Sequence, residues 1–443
     1  MGSNLTRHRL PLPPEDVQAG AFARRQALMP MWGAQPIAAA DWPATWQSRQ
    51  SVLPAAGSLA YIHIPFCANH CVFCGFYRNG WLESQASLFV ERLIAELAHE
   101  AVSRPAGGRI DAVYFGGGTP TLLPPADLAK LIAATRRYLP LAEQCEITIE
   151  GRLDARSAEL VAACTEAGAT RFSFGVQTFA TALRRRLGRK HDGEQVAGYL
   201  RSLRGQTDAT LVVDLMFGLP GQDEFSLLDD LAIATTLGMD GLDLYAFNAY
   251  PGLPMLRMIE KKALDPLPGL PEQALHYALA VNTLRDAGWQ QLSNSHFASG
   301  CREQNRYNAL IKAGRDCLAF GAGAGGKLGG VSYQVQSDLA TYLATPATEK
   351  PLSHMALQSP QHALIGQLQG ALDQGELDTN LLANQPGLLA RLAEWQEQSL
   401  LRLANGKASL TTAGRFWGPT ITRELVMLAT SATTTPTSAG ASQ

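Results

Sequence analysis

Through the middle of the chain, short runs of apolar residues alternate with longer stretches in which apolar positions recur at helical spacing. The short runs are Leu59–Phe66, Ala112–Phe115, Glu146–Glu150, Arg171–Val176, Leu211–Phe217 and Leu242–Phe247. Several are apolar almost throughout, the pattern of strands covered on both faces in a parallel sheet. Between them, Leu88, Phe89, Leu93, Ile94 and Leu97 mark a helix over Ser87–Val102. Comparable stripes run over Asp127–Leu139, Ser157–Ala167, Gly193–Leu203, Glu224–Leu237 and Glu272–Ala287. Successive strands start 25 to 53 residues apart, and a strand–helix–strand unit takes about 30. Six such units predict an α/β fold built as a partial (β/α)6 barrel, with function at the carboxyl ends of its strands.

Outside this repeat the pattern changes. Residues 1–55 are rich in Pro, Ala and Trp, show no sustained period, and read as an N-terminal extension lying on the domain surface. Met29, Met31, Trp32, Trp42 and Trp46 either anchor that arm or meet a flat apolar ligand, anchoring being the simpler reading. The barrel and its C-terminal continuation take residues 56–334. Residues 335–430 predict a small helical domain of winged-helix-like outline, because Leu400–Leu403 and Ala408–Gly414 read as two short strands before a helix near Thr420. This segment lacks a dense basic face, which argues against DNA binding. Residues 431–443, mostly Ser, Ala and Thr, read as a disordered tail.

Composition narrows the function. A hydrophobic fraction of 46% with 17% charged residues gives a chain of 443 residues a sizeable core, and a net charge of −2 suggests neither nucleic acid nor an anionic membrane as partner. No apolar stretch is long enough to span a bilayer, and the N-terminus has no secretory core, so the expected location is the cytoplasm. Three of the seven cysteines fall within eight residues. That clustering fits metal binding in a reducing compartment better than a disulfide framework. Cys145, Cys164, Cys301 and Cys317 read as small buried hydrophobes.

The clustered cysteines lie in Tyr61-Ile-His-Ile-Pro-Phe-Cys67-Ala-Asn-His-Cys71-Val-Phe-Cys74, at the carboxyl end of the first strand. The spacing C-x3-C-x2-C admits zinc with His70 as fourth ligand, or a 4Fe–4S cluster with one iron left open for chemistry. The run Tyr-x-His-Ile-Pro-Phe before the cysteines resembles the signature of radical S-adenosylmethionine enzymes, in the branch of the anaerobic coproporphyrinogen III dehydrogenase. Gly116-Gly117-Gly118-Thr119-Pro120, Glu150, Phe174-Gly-Val-Gln177 and Asp214-Leu-Met-Phe-Gly218 match the same branch.

The resemblance implies that Cys67, Cys71 and Cys74 hold the cluster, and that Tyr61, Gly117 and Glu150 hold S-adenosylmethionine. Some members of the branch bind a second S-adenosylmethionine, and Phe73, Gly118, Thr119, Gln177, Arg189, Asp214 and Asn248 match those positions. Phe76 stands where the decarboxylating dehydrogenase usually has a further cysteine. Gln304-Asn-Arg-Tyr-Asn-Ala309 lacks the His and Trp usual in the haem-chaperone relatives. Cys74-Gly-Phe-Tyr77-Arg78-Asn79 and Gly323-Ala-Gly-Gly326 are instead similar to the haem-utilisation methyltransferases. That branch implies a haem substrate, opened without oxygen to a linear tetrapyrrole with release of iron, and an electron donor such as a flavodoxin-type protein. Oxidative decarboxylation of a porphyrinogen and haem binding without turnover are the alternatives. His63, His70 and His296 are candidate haem ligands, with Arg78 and Arg302 as propionate partners, although His63 and His296 read more simply as structural.

Overall fold

Six parallel strands form where the apolar runs place them: Ser58–Ile64, Ile110–Gly117, Leu141–Gly151, Arg171–Gln177, Thr210–Phe217 and Gly241–Ala246. In the computed structural model, which describes residues 16–105, 107–383 and 385–431, they lie side by side in chain order. The helices Glu83–Ser103, Pro125–Tyr138, Ser157–Ala167, Gly193–Arg204 and Glu224–Thr236 connect them, and Leu270–Asp286 follows the sixth strand. In the first strand Ala60, Ile62 and Ile64 are buried in the same core as Phe89, Leu93 and Leu97 of the first helix. Burying each such Leu or Phe side chain contributes about 1.5–3 kcal/mol. Leu59, Tyr61 and His63 alternate with them and face the barrel interior. Asp192 and Asp223 start the fourth and fifth helices with reciprocal capping hydrogen bonds to Gln195 and Ser226, each cap worth about 1 kcal/mol.

The barrel stays open. Cys317–Phe320 adds a seventh parallel strand beside the first. Gly325–Leu328, Val331–Val335 and Leu352–Leu357 then continue the sheet in antiparallel fashion, carrying it past residue 334. Glycines and polar residues in these strands hid them from a reading based on period. The arm supplies the last strand on this side, Gln35–Pro36, paired to Leu352–Leu357. This covers an edge that would otherwise present unpaired backbone groups. On the other side His296–Ala298 and Gln290–Gln291 extend the sixth strand, for a sheet of 13 strands among the described residues.

The arm is anchored by its aromatic residues. Trp46 is buried edge-on against Tyr333 at 4.7 Å, and Phe22 packs 5.2 Å from Trp417. Trp417 Nε1 donates to the Gln18 carbonyl at 2.7 Å, and Arg25 Nε donates to the Phe416 carbonyl at 3.0 Å. The C-terminal part sets a three-stranded sheet, Glu376–Asp378, Lys407–Leu410 and Leu401–Ala404, among the helices His362–Gln374, Pro386–Glu397 and Gly418–Ser431. The strand expected over Ala408–Gly414 stops at Leu410, because Thr411 caps a short helix, Thr412–Phe416, by accepting from the Gly414 N–H. Cys145, Cys164 and Cys317 are buried, whereas Cys301 lies exposed in a turn, contrary to expectation. Residues 1–15 of the extension and 432–443 of the expected tail lie outside the described residues. No helix among the described residues is long and apolar enough to cross a membrane.

Candidate cluster and cofactor site

The first strand delivers the chain straight into the cysteine loop. Phe66–Cys67 pairs with Asn79–Gly80, and the Trp81 N–H reaches the Cys67 carbonyl at 3.1 Å, so the loop is closed at its base. Each sulfur faces a donor. Thr119 Oγ1 lies 3.7 Å from Cys67 Sγ, Arg152 Nη2 lies 3.2 Å from Cys71 Sγ, and the Phe76 N–H lies 3.3 Å from Cys74 Sγ. Asn69 holds the guanidinium in place: it accepts from Arg152 Nη1 at 2.9 Å and donates to the Gly188 carbonyl at 3.0 Å. Burial pushes the Cys67 thiol up, opposed by the Thr119 hydrogen bond and the Arg152 charge. Donors so placed stabilise thiolate ligands. His70 does not complete a zinc site: its Nε2 lies 3.0 Å from the Cys74 carbonyl and its ring stacks on Tyr77. Among the described residues no three His, Cys, Asp or Glu side chains converge on the scale of a single ion. A three-thiolate set with a donor at each sulfur suits a cluster, whose ligands bind separate irons.

The glycine run beside this loop is required by packing. A Cβ at Gly116 would lie 2.8 Å from Glu150 Oε2, at Gly117 2.4 Å from the His63 ring, and at Gly118 2.4 Å from the Phe66 carbonyl oxygen. Gly117 also has φ 106°, a region that L side chains rarely enter. The Gly118 and Thr119 amides bond to the carbonyls of Ile64 and Phe66 at 2.8 and 2.7 Å, tying the run to the cysteine loop.

Two carboxyls face the interior at the strand ends. Burial and the neighbouring Asp214 push Glu150 up to about 8, against the Gly117 amide and Arg152. Burial and Asp243 push Asp214 up to about 7, although Ser173 Oγ donates to it at 2.9 Å. An arriving cation would restore the charge of both, so this enclosure suits an ammonium or a sulfonium. Burial lowers His63 to about 4 and leaves it neutral; its Nδ1 lies 3.1 Å from Tyr61 Oη. Gln177 ends the fourth strand in the left-handed region, φ 66°, a strained conformation for a side chain of its size. Arg189 donates to Gln177 Oε1 and lies 5.5 Å from the centre of the Phe73 ring. Phe73, Gln177 and Arg189 are thus brought together, whereas Asn248 lies exposed two residues beyond the sixth strand. A cavity of about 240 Å3 beside the loop is lined by Asn69, Thr119, Arg152, Gly175, Arg189 and Lys190, among others.

Sequence reasoning missed the charged interior below this site. His296 is fully buried, with Nδ1 2.9 Å from Asp243 Oδ1 and Nε2 3.2 Å from Glu303 Oε1, contacts that are electrostatic rather than linear hydrogen bonds. Glu303 also pairs with Arg171 at 2.9 Å. Burial disfavours the imidazolium, but the two carboxylates outweigh it and raise His296 to about 9. Both ring nitrogens are committed, so His296 is a structural cation and not a haem ligand. Arg302 donates to the Asp208 carbonyl at 3.0 Å and faces Asp240 at 3.5 Å. Those residues precede the fifth and sixth strands, which places Arg302 at the opposite end of the barrel from the cysteines. Arg78 is exposed and, among the described residues, donates to the nearby Gly75 and Tyr77 carbonyls. The one available signal was Asp243, a lone acid inside an apolar run.

The sequence signature of the Radical SAM superfamily matches residues 61–232. The chain is 41% identical to anaerobilin synthase of Escherichia coli O157:H7, over 91% of its own length and 92% of that protein's. It is 31% identical to the heme chaperone HemW of Bacillus subtilis, over 61% of this chain and 71% of the relative. The same identity, 31%, relates it to the oxygen-independent coproporphyrinogen III oxidase of Bradyrhizobium diazoefficiens, over 68% and 69%. Among solved structures, coproporphyrinogen III oxidase (HemN) of Escherichia coli, a radical SAM enzyme, shares the fold with TM-score 0.73 over 92% of this chain and 96% of that one, at 20% identity. A radical SAM enzyme, with a 4Fe–4S cluster and S-adenosylmethionine as cofactors, is the class these findings define. Within that superfamily the chain belongs to the branch of anaerobilin synthase, HemW and the oxygen-independent coproporphyrinogen oxidases.

Proposed function

We propose that this enzyme opens haem anaerobically to a linear tetrapyrrole, with methyl transfer and release of iron, the activity implied by its anaerobilin synthase relative. The observation that carries this reading is the extent of that match: 41% identity runs over nine-tenths of both proteins, whereas the chaperone and oxidase matches cover about two-thirds. Phe76, 75% exposed, supports it, standing where a decarboxylating relative usually has a cysteine.

Cys67, Cys71 and Cys74 are assigned to the cluster, oriented by Thr119, Arg152 and the Phe76 amide. Tyr61, Gly117 and Glu150 are assigned to one S-adenosylmethionine. Phe73, Gly118, Thr119, Gln177, Arg189, Asp214 and Asn248 are assigned to a second, Asn248 on motif position alone. Together the cofactors supply carbon-radical chemistry at the carboxyl end of the barrel strands. Glu150 and Asp214, pushed up by burial and by neighbouring acids, ionise against an ammonium or sulfonium and orient it. Arg189, held by Gln177, keeps a positive charge over Phe73 at the edge of the site. Exposed Arg185 and Lys190 lie beside the residues that hold the cysteine loop and suit an acidic electron donor of flavodoxin type. A cytoplasmic location and the lack of a nucleic-acid partner belong to the same reading, supported by the cluster-like spacing of three cysteines and the net charge of −2.

The test is anaerobic reconstitution and reduction with S-adenosylmethionine and haem, with products read by mass spectrometry. Linear tetrapyrrole together with 5′-deoxyadenosine is the expected outcome. Intact haem beside demonstrable 5′-deoxyadenosine refutes ring opening. Cys71→Ala should remove both products.

A further inference from the structure

A cavity of about 630 Å3 lies away from the cysteine loop, and none of the residues assigned to the cluster or to S-adenosylmethionine lines it. Its walls are the antiparallel strands Gly325–Leu328, Val331–Val335 and Leu352–Leu357, the helix His362–Gln374, and the N-terminal arm. The arm is fixed there. Trp32 Nε1 donates to Thr430 Oγ1 at 3.2 Å, and Gly33, φ 72°, turns the chain so closely over Ser359 that a Cβ would meet its Oγ at 3.2 Å. Met29 and Met31 flank this turn at the cavity and remain 67% and 49% exposed.

The polar groups in the wall are chemically specific. His362 Nδ1 lies 3.0 Å from the Ser359 carbonyl oxygen. A carbonyl only accepts, so Nδ1 carries the proton and Nε2 keeps its lone pair. A backbone bond of this kind is what fixes the tautomer and orientation of metal-ligating imidazoles. Lys327 lines the same cavity, half-buried. Burial lowers its pKa against the pull of Cys317 and Asp316, and it makes no ion pair among the described residues. Lys312, also in the wall, is already paired to Asp373 at 2.9 Å. A half-buried ammonium with no salt bridge among the described residues has capacity left for an anionic ligand group.

Apolar walls, an oriented imidazole, thioethers on the arm and an unpaired ammonium describe a receptor for a flat, carboxylate-bearing metal macrocycle. The volume falls in the range of about 300–1,000 Å3 typical of such pockets. We propose that this cavity is a second haem site, in which His362 Nε2 ligates the iron and Lys327 meets a propionate, holding substrate apart from the barrel mouth. The proposal rests on the haem reading above.

Ferric haem titrated anaerobically into the full-length, cluster-loaded enzyme without S-adenosylmethionine tests it, with stoichiometry from calorimetry and iron ligation from absorbance and electron paramagnetic resonance. Two equivalents should bind, one with an imidazole-ligated spectrum. His362→Ala should erase that spectrum and weaken one equivalent at least tenfold, with added imidazole restoring the ligation. Lys327→Ala should weaken the same equivalent without altering the spectrum. Ring opening at saturating haem should proceed at the wild-type rate in both. A single equivalent in the wild type, or an unchanged imidazole spectrum in His362→Ala, overturns the site. Haem opened normally with one equivalent bound defeats this proposal alone, whereas two equivalents bound without ring opening defeat the functional reading alone.

Discussion

Replacing Arg152 with Met should make the cluster harder to reduce. Arg152 Nη2 lies 3.2 Å from Cys71 Sγ, and Asn69 fixes the guanidinium there. A positive charge beside a ligand sulfur stabilises the electron that enters, so its removal lowers the midpoint potential. With about 4 Å between charge centres and an effective dielectric of ~20, a unit charge is felt at about 4 kcal/mol. The dielectric already allows for solvent, because Arg152 is half-buried. The added electron spreads over the whole cluster, so roughly a quarter to a half of that energy acts at the Cys71 corner. The result is ~1–2 kcal/mol, or ~40–90 mV for a one-electron couple. A redox titration of the reconstituted protein followed by electron paramagnetic resonance measures it. Arg152→Lys, which keeps the charge but loses the fork that grips Asn69, should shift less. An unmoved or raised midpoint in the Met variant, at full iron and sulfide content, refutes the role given to Arg152.

Gly117→Ala should destabilise the fold by ~1–3 kcal/mol and suppress 5′-deoxyadenosine formation, because the new Cβ meets the His63 ring in a backbone region closed to alanine. Thermal unfolding within ~0.5 kcal/mol of wild type would contradict this. His296→Gln should change the pH dependence of stability. The folded value of about 9 lies above the ordinary imidazole value of ~6.5, so the stabilisation is complete below ~6.5 and is lost as pH rises through 9. Urea unfolding should show the wild type losing ~2–3 kcal/mol more than the variant between about pH 6.5 and 9.5. Parallel profiles would exclude a charged His296.

The six parallel strands and their helices were legible because each element carries its own period: apolar runs buried on both faces, and stripes at 3.6 residues for the helices that cover them. The cysteine loop was legible for the same local reason, since its three thiols, its strand and its glycine partner are each short contiguous patterns. The seventh parallel strand and the antiparallel continuation were not, because Gly325, Gly326 and Ser332 break any alternation and the strands are held by pairing partners distant in sequence.

Tertiary structure also decided what surrounds the chemistry. Arg152 reaches Cys71 from 81 residues away. His296 becomes a buried cation only because the sixth strand brings Asp243 and a later loop brings Glu303 to its two nitrogens. The arm, which reads as featureless, closes a sheet edge and walls a cavity with His362 and Lys327. The sequence by itself determined that three cysteines share one short loop at the end of a strand, because spacing within a loop is a local property. Which charges tune that site, which histidine is free to bind metal and where a second cavity opens were decided by long-range packing, since electrostatics and enclosure depend on neighbours that only the fold assembles.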